Sequence, residues 1–250
     1  MDQYGLIGNP LKHSFSQGFF NDKFREENID AQYINFEIPF IREVTSIIKN
    51  NPSLKGLNVT IPYKEQIIPF LDRLSENARL IGAVNVIKID RNKGKIKLTG
   101  FNSDIIGFKE SIEPLLQAHH KQALILGTGG AAKAVYYGLK QLGIVTTYVS
   151  RAKKSVNILN YEDLSKEIIE ANTIIVNCTP IGMWPKVDES PNIPYQWLNE
   201  QHLLYDLLYN PDVTLFMKKG AGQGATVKNG LEMLLLQAFA GWEFWQGTRK

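Results

Sequence analysis

The run Ala123-Leu124-Ile125-Leu126-Gly127-Thr128-Gly129-Gly130-Ala131-Ala132 limits what this chain can fold into more than any other. A short apolar strand pattern meets a glycine-rich turn and passes at once into a helical pattern over residues 131–142. Strand, tight turn and helix in that order open a βαβ unit, and βαβ units build parallel sheets covered by helices. The glycines let backbone approach a pyrophosphate, while the helix N-terminus offers unpaired N–H groups and a dipole that favours an anion. Ala132 stands where a third glycine is usual, and a small residue suffices there for close helix–strand packing. A tight turn without a ligand is the plainer reading, and the spacing leaves it open.

The same alternation runs through the chain. Residues 4–7, 33–38 and 56–59 read as strands, and residues 17–27, 41–49 and 62–74 as helices, with Thr60 as a candidate cap for the last. Residues 83–89 and 95–98 flank a polar turn and predict a hairpin that adds an antiparallel edge. Beyond residue 102, helical and apolar segments alternate up to residue 206, which predicts a doubly wound parallel sheet. The last helical pattern, 230–245, is apolar nearly all round and predicts burial. The expected division is 1–101, with 231–250 packing back onto it, and 102–230.

Composition narrows the function classes. The 250 residues suit one large domain or two smaller ones. Net charge is only +3, with no basic block beyond Lys153-Lys154 and Lys218-Lys219, which argues against nucleic acid as a partner. No apolar run approaches the ~18 residues of a membrane span. The single cysteine, Cys178, excludes an internal disulfide, and the N-terminus lacks a signal-peptide pattern; both lead us to expect a cytoplasmic protein. The four histidines show no metal-ligand spacing, so no metal is expected.

Two sets of polar residues carry the candidate chemistry. After the strand at 145–149 comes Ser150-Arg151, with Lys153 and Lys154 close behind and no Asp or Glu to hold a ribose diol. Together with the glycine loop, this cluster suits a 2′-phosphate and predicts NADP as cofactor; a solvated surface loop is the plainer reading. In the first half, Ser14, Ser16, Asn58, Thr60, Lys64, Asn85, Asn102 and Asp104 follow or flank strand patterns. Open α/β sheets bind ligands outside the carboxyl ends of their strands, so these groups could meet one small polyhydroxylated ligand. Helix caps, turn residues and a surface Lys64–Asp104 ion pair explain them as well, and spacing alone leaves both open.

Read in order, these pieces resemble the shikimate dehydrogenase family over essentially the whole chain. The matching motifs are Gly8-Asn9-Pro10 with His13-Ser14-Phe15-Ser16, Asn58-Val59-Thr60-Ile61-Pro62-Tyr63-Lys64, Gly82-Ala83-Val84-Asn85 and Asn102-Ser103-Asp104. They continue with the glycine loop, Asn177-Cys178-Thr179-Pro180-Ile181-Gly182-Met183, Asp206-Leu207-Leu208-Tyr209-Asn210-Pro211, and Gly230-Leu231-Glu232-Met233 through Gln237. The resemblance implies an α/β protein: a mostly parallel N-terminal substrate domain plus a Rossmann-like, doubly wound dinucleotide domain. It implies reversible NADP-linked oxidation of shikimate to 3-dehydroshikimate, reduction being the direction of chorismate and aromatic amino acid biosynthesis. A relative that also takes quinate or NAD is the alternative within the family, and a non-catalytic nucleotide sensor the one outside it.

By that resemblance Lys64 and Asp104 form the catalytic pair. Ser14 and Ser16 would hold the substrate carboxylate, and Asn58, Thr60, Lys64, Asn85, Asp104 and Gln237 would surround the ring hydroxyls, with Tyr209 nearby. Gly127, Thr128, Gly129, Gly130 and Ala131 would take the pyrophosphate, Ser150, Arg151 and Lys154 the adenosine phosphate end, and Thr179, Met183 and Gly230 the nicotinamide. A homodimer is left open. Three motifs depart from the family pattern: Gln17 replaces Pro, Ser150-Arg151-Ala152 replaces Asn-Arg-Thr, and Cys178 and Pro180 stand where Ala and Ser are more common.

Overall fold

The computed structural model describes residues 1–11, 14–151 and 158–249. The chain divides into two compact units, Met1–Ser103 with Ala238–Lys250, and Asp104–Gln237.

The first unit contains β1 (Asp2–Gly8), α1 (Phe15–Glu26), β2 (Ala31–Glu37), α2 (Val44–Asn50), β3 (Leu54–Val59), β4 (Arg73–Leu74), α3 (Glu76–Ile81), β5 (Val86–Asn92) and β6 (Lys95–Phe101). They form one sheet in the order β2-β1-β3-β5-β6-β4. β1, β2 and β3 run parallel, β5 is antiparallel to β3, and β6 is antiparallel to β5. The hairpin expected at the edge is therefore internal, and the two-residue β4 forms the edge beyond β6. Lys93 and Gly94, both at positive φ, make its two-residue turn, which matches the twist of the flanking strands. One sheet face packs Ile7, Leu57, Val59, Ile87 and Ile89 under α2 and the 63–71 turns. On α1, Phe20 stacks on Tyr33 at 4.9 Å, and Trp245 donates its indole N–H to the Ile87 carbonyl at 3.0 Å.

The helix expected over 62–74 does not form. The segment runs through turns into a 3-10 helix, Ile68–Phe70, and then β4. Pro69 has no N–H for a helical ladder, and the Lys64 carbonyl, which such a ladder needs, accepts the Val84 N–H at 2.7 Å. Thr60 caps no helix; its carbonyl accepts the Tyr63 N–H and closes a turn. The helix of this region is α3, capped by Ser75 Oγ accepting the Ala78 N–H and ended by Gly82 at φ 68°.

The second unit contains α4 (Asp104–Ile112), β7 (Gln122–Leu126), α5 (Gly130–Gln141), β8 (Val145–Val149), β9 (Ile158–Leu159), α6 (Lys166–Ala171), β10 (Ile174–Asn177), β11 (Leu203–Asp206), α7 (Leu215–Ala221) and β12 (Thr226–Lys228). Helix α8 (Leu231–Gln246) begins here, and its residues from Ala238 onward belong to the first unit. The sheet order is β12-β11-β10-β7-β8-β9, with every pair parallel. Separate apolar clusters pack its two faces. The chain steps outward from β7 to β9, then returns to β10 on the other side of β7, so the winding reverses between β7 and β10. Helix α8 is not buried all round as its composition suggests: Met233, Ala238 and Phe244 are buried, whereas Leu231 and Phe239 are exposed. Among the described residues no helix is long and apolar enough to cross a membrane.

Candidate active site

In the first unit, strand direction brings the polar candidates to one end of the sheet. Ile7 pairs with Val59, Asn58 with Val86, and Val86 with Phe101. The carboxyl ends of β1, β3 and β6 and the amino end of β5 therefore share one edge, where ligands of open α/β sheets bind. Asn58, the last residue but one of β3, has its side chain buried; its Nδ2 donates to the Asn85 carbonyl at 3.2 Å and its Oδ1 accepts the Tyr33 hydroxyl at 2.7 Å. Asn85 Nδ2 donates to Ser103 Oγ at 3.0 Å, and its Oδ1 accepts the Ser103 N–H at 2.7 Å. Ser16 lies in the first turn of α1. Thus Tyr33, Asn58, Asn85 and Ser103 belong to one connected network.

Ser14 stands at the N-cap of α1 but makes no cap bond, and its buried Oγ has no hydrogen-bond partner among the described residues. A buried hydroxyl left in that condition costs about 1–3 kcal/mol, which a bound anion would relieve. Thr60 follows β3, its N–H bonded to the Ile7 carbonyl. Lys64 lies four residues on, half-buried in the turns held to Val84.

In the second unit, a cavity of about 410 Å3 opens where the winding reverses. Gly127, Thr128, Gly129, Val149, Ser150, Arg151, Tyr161, Cys178, Thr179, Pro180 and Ile181 line it, from the ends of β7, β8 and β10 and the start of α5. Gly127 sits at φ +105°, a conformation that L side chains rarely adopt, and a Cβ there would stand 3.2 Å from the Thr179 methyl group. Gly129 and Gly130 have no atom within 4 Å of where a Cβ would stand, so the backbone at the start of α5 faces open space. Arg151 is exposed at the rim, and its cation partly offsets the burial that raises the pKa of Tyr161. Burial also pushes the Cys178 thiol well up, with the Asp206 carboxylate adding to the effect.

The remaining expected residues are placed as follows. Gly130 and Ala131 open α5. Met183 and Gly230 are not among the described residues lining this cavity. Gly230 has a packing reason of its own: a Cβ there would meet the Leu207 carbonyl oxygen at 2.1 Å. Tyr209 is exposed beyond β11, Asp104 is buried at the start of α4, and Gln237 in α8 donates to the Leu234 carbonyl at 2.9 Å. Lys154 lies outside the described residues.

Sequence reasoning missed Tyr33, which reads only as a core position of an alternating strand, although a buried tyrosine hydroxyl needs a partner. It also missed Tyr161 as a wall of the cavity.

A doubly wound parallel sheet with a glycine loop and an arginine at its switch point defines a dinucleotide-dependent α/β oxidoreductase. The family model described as the shikimate dehydrogenase substrate binding domain matches residues 6–87. The chain is 35% identical to the NADP(+) shikimate dehydrogenase of Desulforamulus reducens, across 97% of this chain and 89% of that relative. It is similar to the solved shikimate dehydrogenase of Aquifex aeolicus, at 34% identity and a TM-score of 0.85 over 99% of this chain and 93% of that one. It is similar as well to the shikimate 5-dehydrogenase of Thermus thermophilus solved with NADP(H) and shikimate, at 27% identity and a TM-score of 0.84 over 99% and 94%. The chain belongs to the shikimate dehydrogenase family.

Proposed function

We infer that this chain catalyses the reversible, NADP-dependent oxidation of shikimate to 3-dehydroshikimate, working as a reductase toward chorismate and the aromatic amino acids. The observation that carries it is the open glycine cradle beside Arg151 in a chain of this family. The cradle fits a dinucleotide: backbone with no side chain in front of it lets a pyrophosphate reach the N–H groups that open α5. NADP, when bound, supplies the hydride acceptor for oxidation and the donor for reduction.

The chain's own residues handle binding and the proton. Lys64 takes the proton of the reacting hydroxyl in oxidation; in reduction its ammonium donates to the forming alkoxide and stabilises that charge. Asp104 is the second member of the proposed pair and accepts a hydrogen bond from the reacting hydroxyl. Ser14 and Ser16 hold the carboxylate, the unpartnered Ser14 hydroxyl supporting that role. Asn58, Thr60, Asn85, Tyr209 and Gln237 recognise the ring hydroxyls. The 127–131 loop binds pyrophosphate, Ser150, Arg151 and Lys154 the phosphorylated ribose, and Thr179, Met183 and Gly230 the nicotinamide side.

A spectrophotometric panel of shikimate and quinate, each with NAD and NADP, tests the reaction. Shikimate with NADP should give the highest kcat/KM, and folded protein with no absorbance change at 340 nm would refute it. A homodimer, read by light scattering, and a cytoplasmic location, which the lone cysteine suits and cell fractionation reads, are further proposals.

A further inference from the structure

The Tyr33 side chain is buried, stacked on Phe20, and held in place from its backbone. Asn21 clamps that backbone on both sides: its Oδ1 accepts the Tyr33 N–H at 2.8 Å and its Nδ2 donates to the Tyr33 carbonyl at 3.1 Å. The phenol therefore has one address. Its O–H donates to Asn58 Oδ1 at 2.7 Å.

An asparagine side chain presents two N–H donors on one side and two acceptor lone pairs on the other. With Oδ1 taking the Tyr33 hydroxyl and one Nδ2 hydrogen given to the Asn85 carbonyl, turning the Asn58 amide over would set Oδ1 against that carbonyl and force the phenol to accept rather than donate. We propose that Tyr33 is a positioning residue for substrate recognition, locking Asn58 so that its second N–H is the group offered to a ring hydroxyl. The proposal rests on the shikimate reading given above. Burial pushes the Tyr33 phenol well above the usual tyrosine range, so it keeps its proton at any working pH.

The Tyr33→Phe variant removes one oxygen and leaves the ring stack in place. With wild-type holoenzyme conditions and saturating NADP, KM for shikimate should rise about 10-fold, the worth of one hydrogen bond. Turnover should change less than about 3-fold, and KM for NADP should stay unchanged.

Deoxy analogues separate positioning from general loosening. Substrates lacking the 4- or 5-hydroxyl, and the 3-deoxy compound as a competitive inhibitor, should include one against which wild type and Tyr33→Phe bind equally. Asn58→Asp gives a second route should Tyr33→Phe fold poorly. It keeps an acceptor for the phenol but has no N–H to offer and also loses the Asn85 carbonyl bond, so its penalty should be smallest with the same analogue. Equal penalties across all analogues, different analogues for the two variants, or no rise in the KM for shikimate would each overturn the proposal. Wild-type turnover of shikimate in the same assay tests the underlying reaction, so the two ideas fail separately.

Discussion

Asn177 and Asp206 face each other in register at the carboxyl ends of β10 and β11, with Asn177 Nδ2 donating to Asp206 Oδ1 at 3.0 Å. Both side chains are fully buried. The carboxylate also accepts the Thr214 hydroxyl at 2.7 Å and the Leu208 N–H at 3.1 Å. Asn177 Oδ1 in turn accepts the backbone N–H and the hydroxyl of Thr179, at 3.0 and 2.6 Å. A wall of the 410 Å3 cavity is thus hung on one buried carboxylate, and burial raises its pKa from 3.8 to about 6 against the pull of these donors.

That carboxylate gives a pH signature. The folded state holds the Asp206 proton up to about pH 6 and the unfolded chain releases it near 4, so its contribution to stability is full below pH 4 and falls as pH rises through 6. The gap corresponds to ~3 kcal/mol. Asp206→Asn should therefore gain up to ~3 kcal/mol on the wild type between pH 4 and pH 7 in urea denaturation. A stability difference that stays flat over that range contradicts the assignment.

Arg151 should set cofactor choice. Arg151→Ala should raise KM for NADP about 10- to 100-fold and KM for NAD little, because a charge-assisted phosphate bond contributes about 1.5–3 kcal/mol. The wild-type preference should shrink with added salt, since this side chain is exposed. Initial rates with both cofactors at two ionic strengths check both statements, and equal losses with NAD and NADP count against a phosphate contact.

Lys64→Ala should lower kcat on the order of 10²–10⁴-fold with a much smaller rise in the KM for shikimate. Asp104→Ala should be severe too, and the double variant less than additive if the two act as a unit. Near-normal turnover of Lys64→Ala would reduce that lysine to a binding group.

The glycine loop allows a contrast within four residues. Gly127→Ala forces a side chain into φ +105° against Thr179 and should cost ~1–3 kcal/mol of stability as well as raising KM for NADP. Gly130→Ala meets open space in the first turn of α5, so its stability should be unchanged or higher. Thermal melts without cofactor distinguish the two, and equal destabilisation contradicts the geometry.

Ser14→Ala should leave the melting temperature of the ligand-free protein unchanged or raised, because it deletes a buried hydroxyl that has no partner among the described residues. It should raise KM for shikimate about 10-fold if that hydroxyl donates to the carboxylate. A fall in melting temperature with no change in KM points instead to a structural role.

What the sequence determined by itself is local: a strand running into Gly127, the helix start behind it, the alternating strands and the basic residue after β8. Each is written in neighbouring residues, because turn chemistry and helix period act over a few positions. The failures are the places where a distant partner decided. Residues 62–74 have the apolar spacing of a helix, yet Val84 takes the Lys64 carbonyl and the segment folds as turns. The hairpin lies inside the sheet because β4 pairs with β6 on its far side, a choice made by long-range backbone bonding. Tyr33 became part of the candidate site in the same way. Its strand position marks it as core, but its hydroxyl, buried without water, had to find an acceptor, and only the packed sheet brings it to Asn58.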